Sequence, residues 1–336
     1  MMFKKTKIPL LSPREDVEWA SGAVFNPGAY YDGELVHLLF RAIPKGYERI
    51  KLKNVSPGEP DTGFDEKYIS YIGYASSKDG INFEWREEPF IGTEHWFNKF
   101  GSEDPRISRL DDQYLITYTA LQRHAFDEVN GVRIGLAITN DFKTIEKNGI
   151  AGPTDLRDKD AVIFPKRING KIAMLHRVVP NIQIIYFDSI DEFHNPSEGV
   201  WEEHLANLEE HTVMRPEFEW ENLKIGAGPT PIETPEGWLL IYHGVDTNHV
   251  YRMGMALLDL EDPSKIIAKS PIPLLEPELD FELFGDVANV VFPEGAVIID
   301  DTLHVYYGAA DSVIGHAQAP LAEVLNWMKK NKTNND

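Results

Sequence analysis

Cysteine is absent from all 336 residues. Without it the chain has no disulfide framework, no thiolate nucleophile and no thiolate metal site. Positive charge is scarce as well: 33 Lys and Arg stand against 54 Asp and Glu, a formal net charge of −21. Such a surface repels phosphate backbones and anionic bilayers, so neither nucleic acid nor a membrane is an expected partner. An anionic substrate would need a local basic pocket that outweighs this field. No apolar run approaches a membrane span, and the opening "MMFKKTKIPLLSPRED" has no stretch suited to a signal peptide. Helical periodicity is rare too, with only "LAEVLNWMKK" carrying a convincing amphipathic pattern. The expectation is a soluble, cytoplasmic globular protein, and 42% hydrophobic residues are enough for a substantial core.

What the chain does have is a recurring strand. Five runs look alike: "LVHLLFRA" (35–42), "YLITYTAL" (114–121), "KIAMLHRV" (171–178), "WLLIYHGV" (238–245) and "LHVYYGAA" (303–310). A polar turn precedes each, and a small-residue strand with an acidic turn follows, as in "RIGLAITNDF" and "RMGMALLDLEDP". Centred on Phe40, Tyr118, Leu175, Tyr242 and Tyr307, the spacings are 78, 57, 67 and 65 residues. Four short strands with turns fill such a period, so the pattern predicts an all-β, five-bladed β-propeller with a short C-terminal helix. The competing fold is an ordinary β-sandwich. The whole chain, 1–336, is expected to form one catalytic domain. The first period is lengthened by 44–67, "PKGYERIKLKNVSPGEPDTGFDEK", which reads as an inserted loop near the active site. Its basic Lys45, Arg49, Lys51 and Lys53 are candidates for a substrate or subunit contact.

In a propeller the first strand of each blade lines a central channel, and polar residues close the repeated runs: Arg41, Arg177, His243 and, just beyond, Asp311. With Lys159 they offer a cationic nest, while Asp104 and Asp311 supply carboxylates. A concave site of both signs suits a sugar with an anion better than a metal. No zinc-binding or EF-hand pattern is present. His194, His204 and His211 read as surface histidines. "IGAGPTPI" (225–232) lacks the ending of a phosphate loop, and its glycines read as points of close backbone approach. The acidic pair in "SEDPRI" is open to two readings: a turn set by the following Pro105, or a general acid at a cleft.

Several segments together resemble glycoside hydrolase family 130: "SEDPRI", "FPKRINGKIAMLHR", "NLKIGAGPTPIETPEGWLLIYHGV", "ALLDLEDPSKI", "DVANVVFPEGAV" and "YYGAADS". That family consists mainly of inverting β-mannoside phosphorylases on a five-bladed propeller, and the likeness runs from about Asn26 to Asp311. It implies Asp104 as the catalytic acid, with Glu103 beside it and Arg106 buttressing it. Asn26, Arg41, Lys224 and Asp311 match sugar-holding positions. Arg177, His243 and Tyr251 match phosphate contacts, and Lys159 stands where some members carry an arginine. The implied reaction is phosphorolysis of a β-mannoside, such as a manno-oligosaccharide or mannosyl-N-acetylglucosamine, to α-mannose 1-phosphate. Phosphate is then a co-substrate, with no cofactor and no metal, and a homo-oligomer is possible. Simple hydrolysis and non-catalytic carbohydrate binding are the alternatives. Asp104 is expected in a wet cleft rather than a packed core.

Overall fold

The computed structural model describes residues 2–52, 62–126, 131–153, 156–194 and 199–331. Five antiparallel sheets of four strand positions form the blades of a propeller. Blade 1 runs Ala23–Tyr31, Val36–Ile43, Tyr71–Ser77 and Glu84–Trp85; blade 2 runs Gly101–Leu110, Gln113–Leu121, Val132–Thr139 and Lys147–Ile150. Blade 3 comprises Lys159–Ile163, Ile172–Arg177, Ile182–Phe187 and Thr212–Met214. In blade 4 the first position is split between Lys224–Ala227 and Ile232–Thr234, followed by Gly237–Val245, Tyr251–Leu258 and Ile266–Lys269. Blade 5 takes Val291–Ile299, Thr302–Ala309 and Val313–Pro320 from the C-terminal part and Lys4–Lys5 from the N-terminal part. Both ends of the chain therefore close the ring in one sheet. Buried Lys5 adds a cross-link, its ammonium lying 2.8 Å from Glu282.

Each interface between neighbouring blades is one apolar cluster. Along the second strand of blade 4, Leu239 and Ile241 pack toward blade 5, while Leu240 and Tyr242 pack toward blade 3. In blade 1, Leu38 and Phe40 face blade 5 and Leu39 faces blade 2. Alternation carries successive side chains to opposite faces, and here both faces are covered. That is why these runs are almost uniformly hydrophobic. Truncating one of them, Leu240→Ala for instance, should cost about 2–5 kcal/mol. The C-terminal helix Leu321–Lys330 lays Val324, Leu325 and Met328 on the cluster between blades 4 and 5, with Lys329 and Lys330 in its last turn at the favourable end of the dipole.

In its secondary structure the chain differs from the sequence reading in two respects. The five recurring runs are the second strands of the blades, not the first. Short helices also occur at Ile190–His194, Val200–Ala206 and Asp280–Leu283.

The true inner strands share a distortion. One extra residue interrupts the pairing in blade 1 at Asn26, in blade 2 around Asp104 and in blade 3 around Asp160. The same occurs in blade 5 at Glu294, and blade 4 breaks between its two first-position segments, after Ala227. Asn26, Asp104 and Asp160 are left-handed, with φ of 47°, 52° and 56°. Asp and Asn tolerate this region better than most residues, and a bulge re-aims a side chain that the pleat would direct sideways. The inner strands also crowd one another: a Cβ on Gly28 would lie 2.2 Å from the carbonyl oxygen of Pro105 on blade 2.

Candidate active site

The bulges of blades 1, 2 and 3 deliver Asn26, Asp104 and Lys159 to one place. Asn26 Nδ2 donates to Asp104 Oδ1 at 2.8 Å, Arg41 Nη1 to the same oxygen at 3.3 Å, and Lys159 Nζ to Oδ2 at 3.2 Å. Glu103 takes the other side of Arg41, with Oε1 2.5 Å from Nη2 and accepting from Ser70 Oγ at 2.8 Å. Asp104 is only 1% exposed. The expectation of a wet cleft is therefore corrected: the carboxylate lies beneath its cationic partners. Burial pushes its pKa up, but Lys159, Arg41, the Asn26 hydrogen bond and Arg106 outweigh it and hold the group well below the usual carboxylate range. Without substrate, Asp104 is an anion.

Arg106 is buried among the inner strands, 1% exposed. It donates to the carbonyls of Asp104 (3.0 Å), Ala227 (3.0 Å) and Gly228 (3.1 Å) and to Asp160 Oδ1 (3.3 Å). Its Nη1 also sits 2.8 Å from Glu294. One guanidinium thus ties blade 2 to blades 3, 4 and 5. Burial pushes the Glu294 carboxyl well up, and Arg106 only partly offsets this.

A second cluster stands beside the first. Lys159 is the ladder partner of Arg177, so the residue touching Asp104 is fixed opposite the expected phosphate ligand. Arg177 Nη1 lies 2.6 Å from Asp160 Oδ2 and 3.0 Å from His243 Nε2. Burial pushes the His243 pKa well down; Asp160 opposes this and Arg177, Arg106 and Lys224 reinforce it, so the ring is neutral. Because the arginine can only donate, His243 Nε2 accepts, and the ring proton sits on Nδ1. That Nδ1 and Arg177 Nε are buried and have no hydrogen-bond partner. The Tyr251 ring lies 6.1 Å from His243, and Lys224 Nζ stands 5.7 Å from the centre of that ring.

Asp311 follows Ala310 in a left-handed turn beyond the second strand of blade 5, with φ of 51°. Burial, aided by Asp104 and Asp286 and opposed by Arg41 and Lys159, pushes its pKa up to about 7. The segment 44–67 is described in part, and Lys53 lies outside the described residues. Its strands Arg49–Lys51 and Thr62–Phe64 pair as a hairpin. Tyr47 OH donates to the carboxylate of Asp286, and Arg49 donates to the Asp286 carbonyl, so the insertion reaches across to the approach to blade 5. Tyr68, just beyond it, places its hydroxyl 3.4 Å from Arg41 Nη2.

Sequence reasoning missed Asp158, Asp160 and Glu294. Asp158 accepts from the Arg177 backbone N–H at 3.1 Å and from His176 Nδ1 at 2.7 Å, and His176 meets His204 at 2.8 Å. His204 is thus no surface residue: it is 4% exposed and packs against Trp201. The available signal was "RDKD" itself, with acidic residues flanking a lysine already singled out.

A family model described as β-1,4-mannooligosaccharide phosphorylase matches residues 4–330. A 1,2-β-oligomannan phosphorylase of Thermoanaerobacter sp. (strain X514) is 41% identical over 317 residues, spanning 94% of this chain and 96% of the relative. A β-1,2-mannobiose phosphorylase of the same strain is also 41% identical, over 94% of this chain and 97% of the relative. Among solved structures, the β-1,2-mannobiose phosphorylase of Listeria innocua in complex with β-1,2-mannobiose aligns with a TM-score of 0.77. The sequence identity is 29%, over 98% of this chain and all of the other.

Proposed function

Since the chain belongs to glycoside hydrolase family 130, we propose that it is a β-mannoside phosphorylase acting on β-1,2-linked mannobiose or short oligomannan. Inorganic phosphate attacks the anomeric carbon, the glycosidic bond breaks with inversion, and the products are α-mannose 1-phosphate and a shortened acceptor. The β-1,2 linkage is favoured because both 41%-identical relatives are named for it, although the family model is named for β-1,4. A soluble cytoplasmic enzyme fits a reaction that conserves the bond energy as a sugar phosphate. Among the described residues no helix is long and apolar enough to cross a membrane.

The observation that carries this reading is the double engagement of Lys159, whose side chain reaches Asp104 while its backbone pairs with Arg177. Acid and cationic pocket thereby share one strand position, close enough to act on the two sides of one anomeric carbon. In the proposal Asn26, Arg41, Lys224 and Asp311 hold the mannosyl unit, and Lys159, Arg177, His243 and Tyr251 hold phosphate. An inverting enzyme whose nucleophile is phosphate needs no second carboxylate to activate water. Asp104 serves as the proton donor for the departing oxygen, directly or through a sugar hydroxyl. To do so it must first gain a proton. Phosphate that draws the Lys159 ammonium away relieves part of the field that keeps Asp104 ionised, so acid and nucleophile become competent together. The hairpin of the 44–67 insertion, tied to Asp286, walls the acceptor side.

The test is the reverse reaction: α-mannose 1-phosphate with a panel of acceptors, followed by linkage analysis. The reading predicts phosphate release with mannose or a short β-mannan and a β-1,2-linked product. A β-1,4 product, or preference for N-acetylglucosamine, overturns the substrate assignment; no product with any acceptor overturns the reaction.

A further inference from the structure

Asp160 takes no part in the roles assigned above, yet it stands at the centre of the cationic cluster. It is 1% exposed and left-handed at the bulge of the blade 3 inner strand. Its Oδ2 lies 2.6 Å from Arg177 Nη1 and 3.6 Å from His243 Nε2, and its Oδ1 accepts from Arg106 Nη2 at 3.3 Å. A carboxylate buried beside the arginine expected to bind an anion is a costly arrangement, because in a low dielectric it opposes that anion.

We propose that Asp160 is a built-in counter-charge that limits how tightly the pocket holds phosphate, acting through Arg177 and His243 as a positioning residue. The inference rests on the reading of this pocket as a phosphate site. Two effects compete. Asp160 orients the guanidinium, which favours binding, and repels the incoming dianion, which disfavours it. Orientation does not depend on Asp160 alone: Arg177 is also held by His243, by Asp158 through its backbone N–H, and by its ladder partner Lys159. Repulsion therefore dominates. Among the side chains ion-paired with one another, Arg41, Arg106, Lys159 and Arg177 supply four positive charges against three on Glu103, Asp104 and Asp160, with Glu294 beside Arg106 held toward its neutral form by burial, so this paired set carries an excess of one. A reversible reaction must release an anion on either side, phosphate or sugar phosphate. A pocket with this small excess captures both and traps neither.

The experiment is calorimetric titration of inorganic phosphate into the full chain and its Asp160→Asn variant at fixed ionic strength, with phosphate saturation of turnover measured beside it. Asn is close in shape and suits the left-handed backbone. The expected result is a phosphate Kd and KM lowered at least about fivefold, with unchanged affinity for the mannoside measured without phosphate. Unchanged or weaker phosphate binding overturns the inference, since a residue that merely supports Arg177 would weaken it. Asp160→Ser removes the same charge if the first variant does not fold. If neither folds, Asp160 is a keystone of the fold and the proposal fails. Phosphate-dependent turnover with an unaltered variant affinity sinks this inference alone, whereas phosphate-independent turnover in the unaltered protein sinks the functional reading beneath it.

Discussion

Arg106 Nη1 donates to the main-chain carbonyl of Asp104 at 3.0 Å, two residues back along the same bulged strand. The guanidinium thus holds the Asp104 backbone while Nε and Nη2 reach blades 3 and 4 and Nη1 itself also meets Glu294 of blade 5. Arg106→Gln keeps part of the hydrogen bonding but removes one of the two buried cations beside Asp160, with Arg177 remaining, and the cation facing buried Glu294. The expected loss is about 3–5 kcal/mol of stability, the scale for stripping one partner from a buried pair. Urea unfolding of the variant checks this, and a change within about 0.5 kcal/mol would show these contacts to be dispensable.

Asp104→Asn should lower turnover at least about a hundredfold, the scale of a lost general acid. Because the carboxylate pairs with Lys159 and Arg41 in a buried setting, the variant should also melt lower, yet still fold. Steady-state rates read alongside the melting curve separate the two effects. Near-normal turnover would return "SEDPRI" to being only a turn.

The turn reading of that segment has a counterpart in the backbone. Asp104 does sit at a backbone irregularity, and there its carboxylate meets Asn26, Arg41 and Lys159 from blades 1 and 3. The repeat itself was legible because second strands are buried on both faces and so are uniformly hydrophobic. Inner strands were not legible as strands. "NPG" (26–28), "DPR" (104–106), "GPT" (228–230) and "PEG" (293–295) carry turn residues where the bulge or break falls. Lys4–Lys5 is too short to give a pattern, so the closure of blade 5 left no trace in the sequence. The seven residues of Val200–Ala206 are likewise too few for a helical period to stand out, which is why His204 passed for a surface residue.

Arg177→Ala should raise the phosphate KM more than about tenfold, equivalent to about 1.4 kcal/mol. Mannoside affinity without phosphate should change far less, because Asn26, Arg41 and Asp311 remain. If Arg177 only braces the strand, the melting temperature falls while phosphate dependence survives. Saturation curves for both substrates on one variant distinguish the outcomes.

Stability should fall on acidification through the histidines. Burial lowers the pKa of His194 to about 4, His204 to about 3 and His316 to about 4. Each is neutral in the fold but takes up a proton below about pH 6.5 once unfolded. The unfolded state therefore binds more protons in this window, and stability present above about pH 6.5 drains away down to about pH 3–4. His204→Gln should flatten part of the slope in denaturation measured from pH 7 to pH 4. An unchanged slope would mean His204 titrates normally.

The central claim is that phosphate, not water, is the nucleophile in a site where Lys159 joins the acid to the cationic pocket. The direct measurement is mannose and mannose 1-phosphate release from β-1,2-mannobiose with and without inorganic phosphate. The account predicts α-mannose 1-phosphate as the product, formed in proportion to phosphate occupancy, and negligible cleavage in its absence. Equal rates of cleavage with and without phosphate, yielding only free mannose, would contradict it.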